Sequence, residues 1–343
     1  MNKYFTLLTL LLIILGCHDA QPEIDYNELD RKANEALVQE ANKYFQPLPL
    51  EVFQYDHSSK ALQVNLGKML YYDPRLSKYG NYSCNSCHNL ATAGVDNKPT
   101  IATGSKKEIA RNVPTVLNAI MNHISSWDGT FEESESEDSL AIPHQDILAK
   151  RIVNIPEYKS LFAEAFPESD TPLTLKNLQQ AIVSFERTLL TPSSFDKFLQ
   201  GNVFALNYDE REGLRLFIQT GCTDCHSGTM LGGSMVRKFG EAHDYHPLTG
   251  SSHHDEGLKN KTGNELDKDK FKVAGLRNIG RTYPYFHDGT VEYLSTAVKI
   301  MAKTQLDKEL DDEQIRLIVN FLNALSGEVP ADAQKAPVSL ATQ

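Results

Sequence analysis

Two short stretches decide the fold, Cys84-Asn-Ser-Cys-His88 and Cys222-Thr-Asp-Cys-His226. Each has two cysteines three residues apart followed directly by a histidine, the pattern at which c-type haem is attached. The spacing suits this chemistry because two thiols on one turn add to the two vinyl groups while the adjacent imidazole reaches the iron. The composition of the chain gives about 0.002 such matches by chance, so the sequence predicts two covalently bound haems.

Spacing alone leaves two other uses of the paired cysteines open. The four thiolates together would suit a structural zinc site, and one pair would suit a thioredoxin-like redox site. Neither site requires a histidine after each pair, and an exported chain would tend to oxidise unprotected thiols. Covalent attachment of haem is therefore the favoured interpretation.

Composition bounds the class of protein. A chain of 343 residues is long enough for about two domains. Its 41% hydrophobic and 23% charged residues exclude a collagen-like, mainly disordered or polytopic membrane protein. The formal net charge of −11 excludes a nucleic-acid partner whose phosphates must be neutralised. Five cysteines are too few for a disulfide scaffold.

The first residues have the pattern of an export signal. Lys3 precedes an apolar run from Phe5 to Leu15 that is too short to span a bilayer as a mature helix. Ile14-Leu-Gly-Cys17 resembles a bacterial lipobox, in which the cysteine is lipidated and becomes the first mature residue. We predict a lipoprotein signal peptide over 1–16 and a periplasmic protein held at the outer membrane only by the lipid on Cys17. Ordinary signal cleavage nearby is the alternative.

Helical patterns alternate with turn-rich stretches along most of the chain. Apolar periodicity is clearest over Lys176–Leu190 and in a last helix that begins at Asp311 or Asp312 and stops at Gly327. No series of alternating strands is present, so the predicted fold class is mainly α, with two cytochrome c-like helical domains that each bind one haem covalently. The predicted segments are a tether and peripheral helix (17–45), an N-terminal haem domain (46–200), a C-terminal haem domain (201–330) and a tail (331–343).

Further motifs surround the haem sites: Leu66-Gly-Lys-Met-Leu-Tyr-Tyr-Asp-Pro-Arg-Leu76, Arg111-Asn-Val-Pro-Thr115, Trp127-Asp-Gly129, Phe271-Lys-Val273, Leu276-Arg-Asn278 and Pro284-Tyr-Phe-His-Asp-Gly289. Over about residues 60–327 the chain resembles the bacterial di-haem cytochrome c peroxidases and their MauG-type relatives. The resemblance implies a peroxidase that reduces hydrogen peroxide to water with electrons from a small cytochrome c or a cupredoxin. It also implies a peroxidatic N-terminal haem, an electron-transfer C-terminal haem and, often, a homodimer.

The same resemblance implies the ligands of the C-terminal haem. Met301 lies fourteen residues after His287, where the family has the second iron ligand opposite the histidine that corresponds to His226. A thioether ligand raises the haem potential. His287 itself is expected to contact a haem propionate or to order its loop, not to bind iron. A core methionine is the structural alternative for Met301.

Two further positions are carried over from the family. Trp127, the only tryptophan, matches the aromatic residue between the two haems, where an indole can shorten electron tunnelling. Otherwise it is a buried core tryptophan. The positions that match the family's calcium site are Asn112 and the backbone carbonyls of Thr282 and Pro284, and such oxygens suit this hard cation.

The chain departs from the family on the distal side of the N-terminal haem. Ala102-Thr-Gly104 stands where many members have a closing histidine, which implies that the haem of His88 is open or water-ligated, with His123 and His144 as alternative ligands. The family's catalytic glutamate falls in Pro143-His-Gln-Asp146, where Gln145 replaces it. Glutamine orients peroxide but relays no proton at ordinary pH, so the flanking Asp146 and His144 are candidates for the acid-base role.

Two other functions compete with the peroxidase. A MauG-like oxidase would modify a protein partner, but Met301 argues against it because MauG has a tyrosine at that position. A non-catalytic electron carrier would hold two six-coordinate, low-spin haems.

Overall fold

A computed structural model describes residues 26–49, 58–77, 79–100, 111–124, 126–129, 151–251 and 255–337. In these ranges the helices are α1 Tyr26–Ala41, α2 Ser58–Tyr72, α3 Cys84–Cys87, α4 Pro156–Ala165, α5 Leu175–Glu186, α6 Ser194–Leu199, α7 Tyr208–Thr220, α8 His246–Thr249, α9 Lys259–Thr262, α10 Leu294–Leu306 and α11 Asp312–Asn323. Strands β1 Val236–Lys238 and β2 Lys270–Lys272 pair antiparallel with Arg237 opposite Phe271. The prediction of a mainly α fold is confirmed. No helix within the described ranges is long and apolar enough to cross a bilayer.

Two helix pairs in different halves of the chain share one packing geometry. Helix α2 crosses α5 at Gly67, and α7 crosses α11 at Gly213. A Cβ atom at Gly67 would lie 1.9 Å from the carbonyl oxygen of Ala181, and one at Gly213 would lie 1.9 Å from that of Leu317. Only glycine permits two helix backbones to approach so closely. The two halves are thus built on the same helical unit.

An edge-on aromatic contact accompanies each crossing. The rings of Tyr71 and Phe185 have centroids 5.3 Å apart at an interplanar angle of 61°, and those of Phe217 and Phe321 have the same separation and angle. This arrangement is favourable for aromatic pairs and adds to the free energy gained by burying them. The repeat supports the prediction of two helical domains of one type.

Helices begin and end where the sequence predicts when the capping residue and its partner are close together in the chain. The side chain of Asn207 accepts a hydrogen bond from the backbone of Glu210 at the start of α7, and Gly221 ends that helix with a φ of 91°. Asp311 caps α11 in the same way through Gln314. These ends agree with the sequence analysis.

Two helices end earlier than predicted because tertiary contacts take over their backbone groups. The helix predicted to reach Leu190 ends at Glu186, and the carbonyl of Leu189 instead accepts from the backbone of Asn118 at 3.1 Å. The helix predicted to stop at Gly327 ends at Asn323, because the Gly327 amide donates to the side chain of Asn278 at 3.0 Å.

The first and last described segments pack on the two helical units. One face of α1 buries Leu37 and Ala41, and Phe45 beyond it contacts the rings of Phe195 and Phe217. At the other end Ala333 is buried near α2, where its carbonyl accepts from the hydroxyl of Tyr72 at 2.8 Å.

Candidate haem-binding and active site

The first cysteine motif lies on one helical turn. Cys84 and Cys87 are the first and last residues of α3, and the backbone amide of His88 donates to the carbonyl of Cys84 at 2.9 Å. Nδ1 of His88 lies 3.0 Å from the carbonyl oxygen of Pro114, so the protonated Nδ1 donates there. Nε2 is thereby left as the free electron-pair donor, as in other metal-binding histidines.

The second motif repeats this geometry. A 3₁₀ turn covers Cys222–Asp224, and the amide of His226 donates to the carbonyl of Cys222 at 2.9 Å. Nδ1 of His226 lies 3.0 Å from the carbonyl oxygen of Leu231. Burial lowers the pKa of both His88 and His226, which favours the neutral imidazole that a metal requires.

The thiols of the two motifs are weakly acidic. Burial raises the pKa of both Cys84 and Cys222 to about 12, although Cys84 has an exposed surface and Cys222 is only half-buried. A raised pKa argues against the reactive thiolate that the thioredoxin-like alternative requires. Within the described ranges, no three His, Cys, Asp or Glu side chains are grouped as ligands for a metal ion.

A cavity of about 250 Å³ adjoins the second motif. Cys222, Cys225 and His226 line one part of it, and Met301 of α10 also faces it. The rest of the lining is predominantly apolar, as a haem ring requires, and it includes Phe239, Phe271 and Leu322. These residues fit a covalently attached haem, and His226 and Met301 line the same cavity.

Trp127 and His287 lie at the same cavity. The indole Nε1 of Trp127 donates to the carbonyl of Asn112 at 2.9 Å. His287 is buried and stacks on Phe271 with a centroid separation of 4.0 Å, and its Nε2 has no hydrogen-bond partner among the described residues. An orphaned ring nitrogen at this position suits contact with a polar group on the bound cofactor.

The residues predicted to bind calcium are adjacent. The side-chain amide of Asn112 lies 2.5 Å from the carbonyl oxygen of Pro284, and the backbone of Asn112 donates to the carbonyl of His287 at 2.7 Å. Thr282 lines the same cavity. The three positions converge where the two domains meet.

Several predicted residues lie outside the part of the chain that the structure describes. They are Cys17, His144, Gln145 and Asp146. His123 is described and exposed, and its backbone amide donates to the carbonyl of Gly233 at 3.1 Å.

The sequence analysis missed an internal repeat that organises both sites. Residues 112–118 (Asn-Val-Pro-Thr-Val-Leu-Asn) and 272–278 (Lys-Val-Ala-Gly-Leu-Arg-Asn) each end in an asparagine with a left-handed backbone. The side-chain amides of Asn118 and Asn278 both donate to the hydroxyl of Thr191 at 2.8 Å. An alignment of the chain with itself on Val-x-x-x-x-Asn would have revealed the repeat.

Comparisons with known proteins agree with this architecture. Residues 61–203 match the family of di-haem cytochrome c peroxidases. The cytochrome c551 peroxidase of Nitrosomonas europaea is 40% identical over 86% of this chain and 87% of its own length. That of Pseudomonas aeruginosa is 37% identical over 86% and 88%. The methylamine utilization protein MauG of Methylorubrum extorquens is 29% identical over 78% and 79%.

Solved structures show the same fold. A MauG-like protein associated with microbial copper homeostasis matches with a TM-score of 0.65 and 23% identity, covering 85% of this chain and 96% of that protein. The di-haem peroxidase BthA of Burkholderia thailandensis matches with a TM-score of 0.60 and 17% identity over 83% and 91%. The fold and the two sites define a di-haem c-type cytochrome. The chain belongs to the di-haem cytochrome c peroxidase family, and its cofactors are two c-type haems.

Proposed function

We propose that the protein reduces hydrogen peroxide to water with electrons from a small cytochrome c or a cupredoxin. The observation that carries the proposal is that Met301 and His226 line the same cavity, where the thioether of Met301 would be available as a second ligand to a bound haem. A site closed in this way transfers electrons, so the N-terminal site of His88 is left for peroxide. The identity of 36–40% to proteins named cytochrome c peroxidases supports this assignment.

The chain's residues have distinct tasks in this mechanism. When bound, the haems supply one-electron transfer and an open iron position for peroxide. The carbonyl of Pro114 orients His88, and that of Leu231 orients His226, so each Nε2 would be available to hold a haem iron. Trp127, fixed by its hydrogen bond to Asn112, bridges the two sites.

The proton for cleavage of the oxygen–oxygen bond comes from Pro143-His-Gln-Asp146 in this proposal. Gln145 positions peroxide by hydrogen bonding, and Asp146 or His144 transfers the proton between its two oxygens. Support comes from the chemistry of these side chains and from their place in the family's distal segment.

We further propose a calcium ion at Asn112, Thr282 and Pro284. Support comes from the proximity of the residues, since the side-chain nitrogen of Asn112 donates to the Pro284 carbonyl at 2.5 Å, and a reoriented amide would offer its oxygen beside that carbonyl to a hard cation. An ion there would link the N-terminal segment that holds His88 to the loop that carries His287. Chelation should then slow electron transfer between the haems.

Lipidation at Cys17 after removal of residues 1–16 would tether the protein to the outer membrane from the periplasm. This proposal rests on the sequence pattern, as do the domain limits at 46–200 and 201–330 and the tail at 331–343. The proposal of a homodimer rests on the resemblance to the family. Incorporation of labelled palmitate into the wild type but not into Cys17→Ser would support the anchor.

Turnover with a donor tests the proposed function. The holoenzyme should oxidise two molecules of reduced cytochrome c for each hydrogen peroxide consumed. A protein that accepts electrons but consumes no peroxide would be a carrier. A protein that instead adds oxygen to, or cross-links, a partner protein would be a MauG-like oxidase.

A further inference from the structure

Trp127 is held between the two copies of the repeated segment. The first residue of one copy, Asn112, accepts the indole proton through its carbonyl at 2.9 Å. The first residue of the other copy, Lys272, donates its backbone amide to the carbonyl of Trp127 at 3.0 Å. Equivalent positions of the repeat therefore hold the indole and the backbone of one tryptophan. They differ in their side chains, since one is an amide and the other a cation.

The side chain of Lys272 lies over the indole. Its Nζ atom is 5.8 Å from the ring centroid, and the residue is only 7% exposed. Burial lowers the pKa of Lys272 to about 8, so the ammonium form still predominates at pH 7. The nearby carboxylate of Asp128 favours the charged form of Lys272, and it also contacts Arg111 at 3.0 Å. A cation over an indole face is a favourable contact that depends on the electrons of the ring.

Two neighbouring groups, the carbonyl of Asn112 and the ammonium of Lys272, make the loss of an electron from this indole unfavourable. Loss of one electron leaves a positive charge on the ring unless the Nε1 proton also departs. The acceptor of that proton is the amide carbonyl of Asn112, which is not a base. The charge would therefore stay on the ring and face the ammonium of Lys272 in a buried setting, where repulsion between like charges is strong.

We propose that Lys272 is a positioning residue that keeps Trp127 unoxidised, so that Trp127 serves as a tunnelling bridge and not as a site where oxidising equivalents reside. The inference rests on the proposed function. Reduction of one hydrogen peroxide takes two electrons and two protons and yields two water molecules. When no donor supplies those electrons, they come from the protein, and Lys272 makes Trp127 a poor source.

The test compares the wild-type holoenzyme with Lys272→Met, which removes the charge, and Lys272→Arg, which retains it. Each protein receives hydrogen peroxide without a donor. Electron paramagnetic resonance measures the organic radical, and peptide mass spectrometry measures oxygen added to tryptophan. Because the chain has a single tryptophan, every oxygenated tryptophan found by mass spectrometry is Trp127. We expect about fivefold more oxidised Trp127 in Lys272→Met and the wild-type level in Lys272→Arg.

Equal oxidation of Trp127 in all three proteins, with peroxide consumed, would overturn the inference and leave the proposed function standing. A shift in the C-terminal haem potential of Lys272→Met without extra oxidation would also overturn it, since Lys272 would then serve a haem carboxylate. If the wild type consumes no peroxide, the proposed function fails. A photogenerated ruthenium(III) tris-bipyridine oxidant then replaces peroxide. More oxidised Trp127 in Lys272→Met than in the wild type and Lys272→Arg would support the inference. Equal amounts of oxidised Trp127 in the three proteins would refute it.

Discussion

Nδ1 of His88 lies 3.0 Å from the carbonyl oxygen of Pro114, and this contact fixes the direction of the imidazole. His226 and Leu231 form the same contact at 3.0 Å in the second site. Both histidines therefore present Nε2 in the same way. We therefore expect the chemical difference between the two sites to come from other residues, and Met301 on the cavity of His226 is the candidate.

Replacement of Met301 should lower the potential of the C-terminal haem. We expect Met301→His to lower it by on the order of 100 mV, because a thioether favours reduced iron and imidazole does not. Spectroelectrochemical titration of the holoenzyme measures the shift. Met230, a buried methionine that also lines this cavity, provides the control. An unchanged potential in Met301→His, or a similar drop in Met230→Leu, would contradict the ligand assignment.

Loss of the carboxyl group of Asp146 should slow the chemical step. Asp146→Asn keeps the shape of the side chain but cannot transfer a proton, so peroxide reduction should slow by about tenfold or more. Stopped-flow mixing of the half-reduced holoenzyme with peroxide measures that step directly. A wild-type rate would move the acid-base role to His144, and His144→Gln would then show the loss.

The glycines at the helix crossings should tolerate no side chain. In Gly67→Ala or Gly213→Ala the new Cβ would meet a backbone carbonyl at 1.9 Å, so the helices must separate. We expect a loss of about 3 kcal/mol in the free energy of unfolding, measured by urea denaturation of the holoenzyme. Gly263→Ala is the control, since its Cβ would meet open space and only its φ of 69° adds strain, about 1 kcal/mol. Equal losses of unfolding free energy at Gly67, Gly213 and Gly263 would show that the close approach of the helix backbones does not cause the destabilisation.

The buried ion pair of Asp196 and Arg277 should make the free energy of unfolding depend on pH in the acidic range. Their side chains form two hydrogen bonds of 2.8 and 2.9 Å. Burial raises the pKa of Asp196, but the charge and hydrogen bonds of Arg277 outweigh it and hold that pKa below its usual range. A depressed folded pKa stabilises the protein above the ordinary aspartate pKa of about 3.9, and this stability is lost as pH falls through the folded value.

Asp196→Asn should therefore destabilise the protein by about 3 kcal/mol at pH 7 and by less at pH 3. Urea midpoints at the two pH values measure the difference. Asp332→Asn is the control because its partner Lys68 meets it at the surface. A deficit in Asp196→Asn that does not change with pH would contradict the electrostatic explanation.

Local signals in the sequence were sufficient to predict several helix ends and the two haem-attachment motifs. The Cys-x-x-Cys-His spacing confines both thiols and the imidazole to one turn, and Asn207, Gly221 and Asp311 mark helix ends through contacts with near neighbours. Met301 required the resemblance to a family, because a methionine on a helix is equally suited to a core. Its place on the His226 cavity now supports the ligand role.

Contacts between distant segments could not be predicted in this way. The approach of Gly67 to Ala181, the shared hydrogen bonds of Thr191 and the position of Lys272 over Trp127 all join residues far apart in the chain. Nothing in the local sequence near Lys272 indicates an indole beneath it. Such contacts form when two similar domains pack together. Neither the hydrophobic periodicity nor the spacing of the motifs specifies that packing.

Electron paramagnetic resonance of the oxidised and half-reduced holoenzyme distinguishes a peroxidase from an electron carrier. We expect one high-spin ferric signal from the haem of His88 and one low-spin signal from the haem of His226 and Met301, with only the low-spin signal lost on half-reduction. Two low-spin, six-coordinate haems in both states would leave peroxide no iron to bind and would contradict the proposed function.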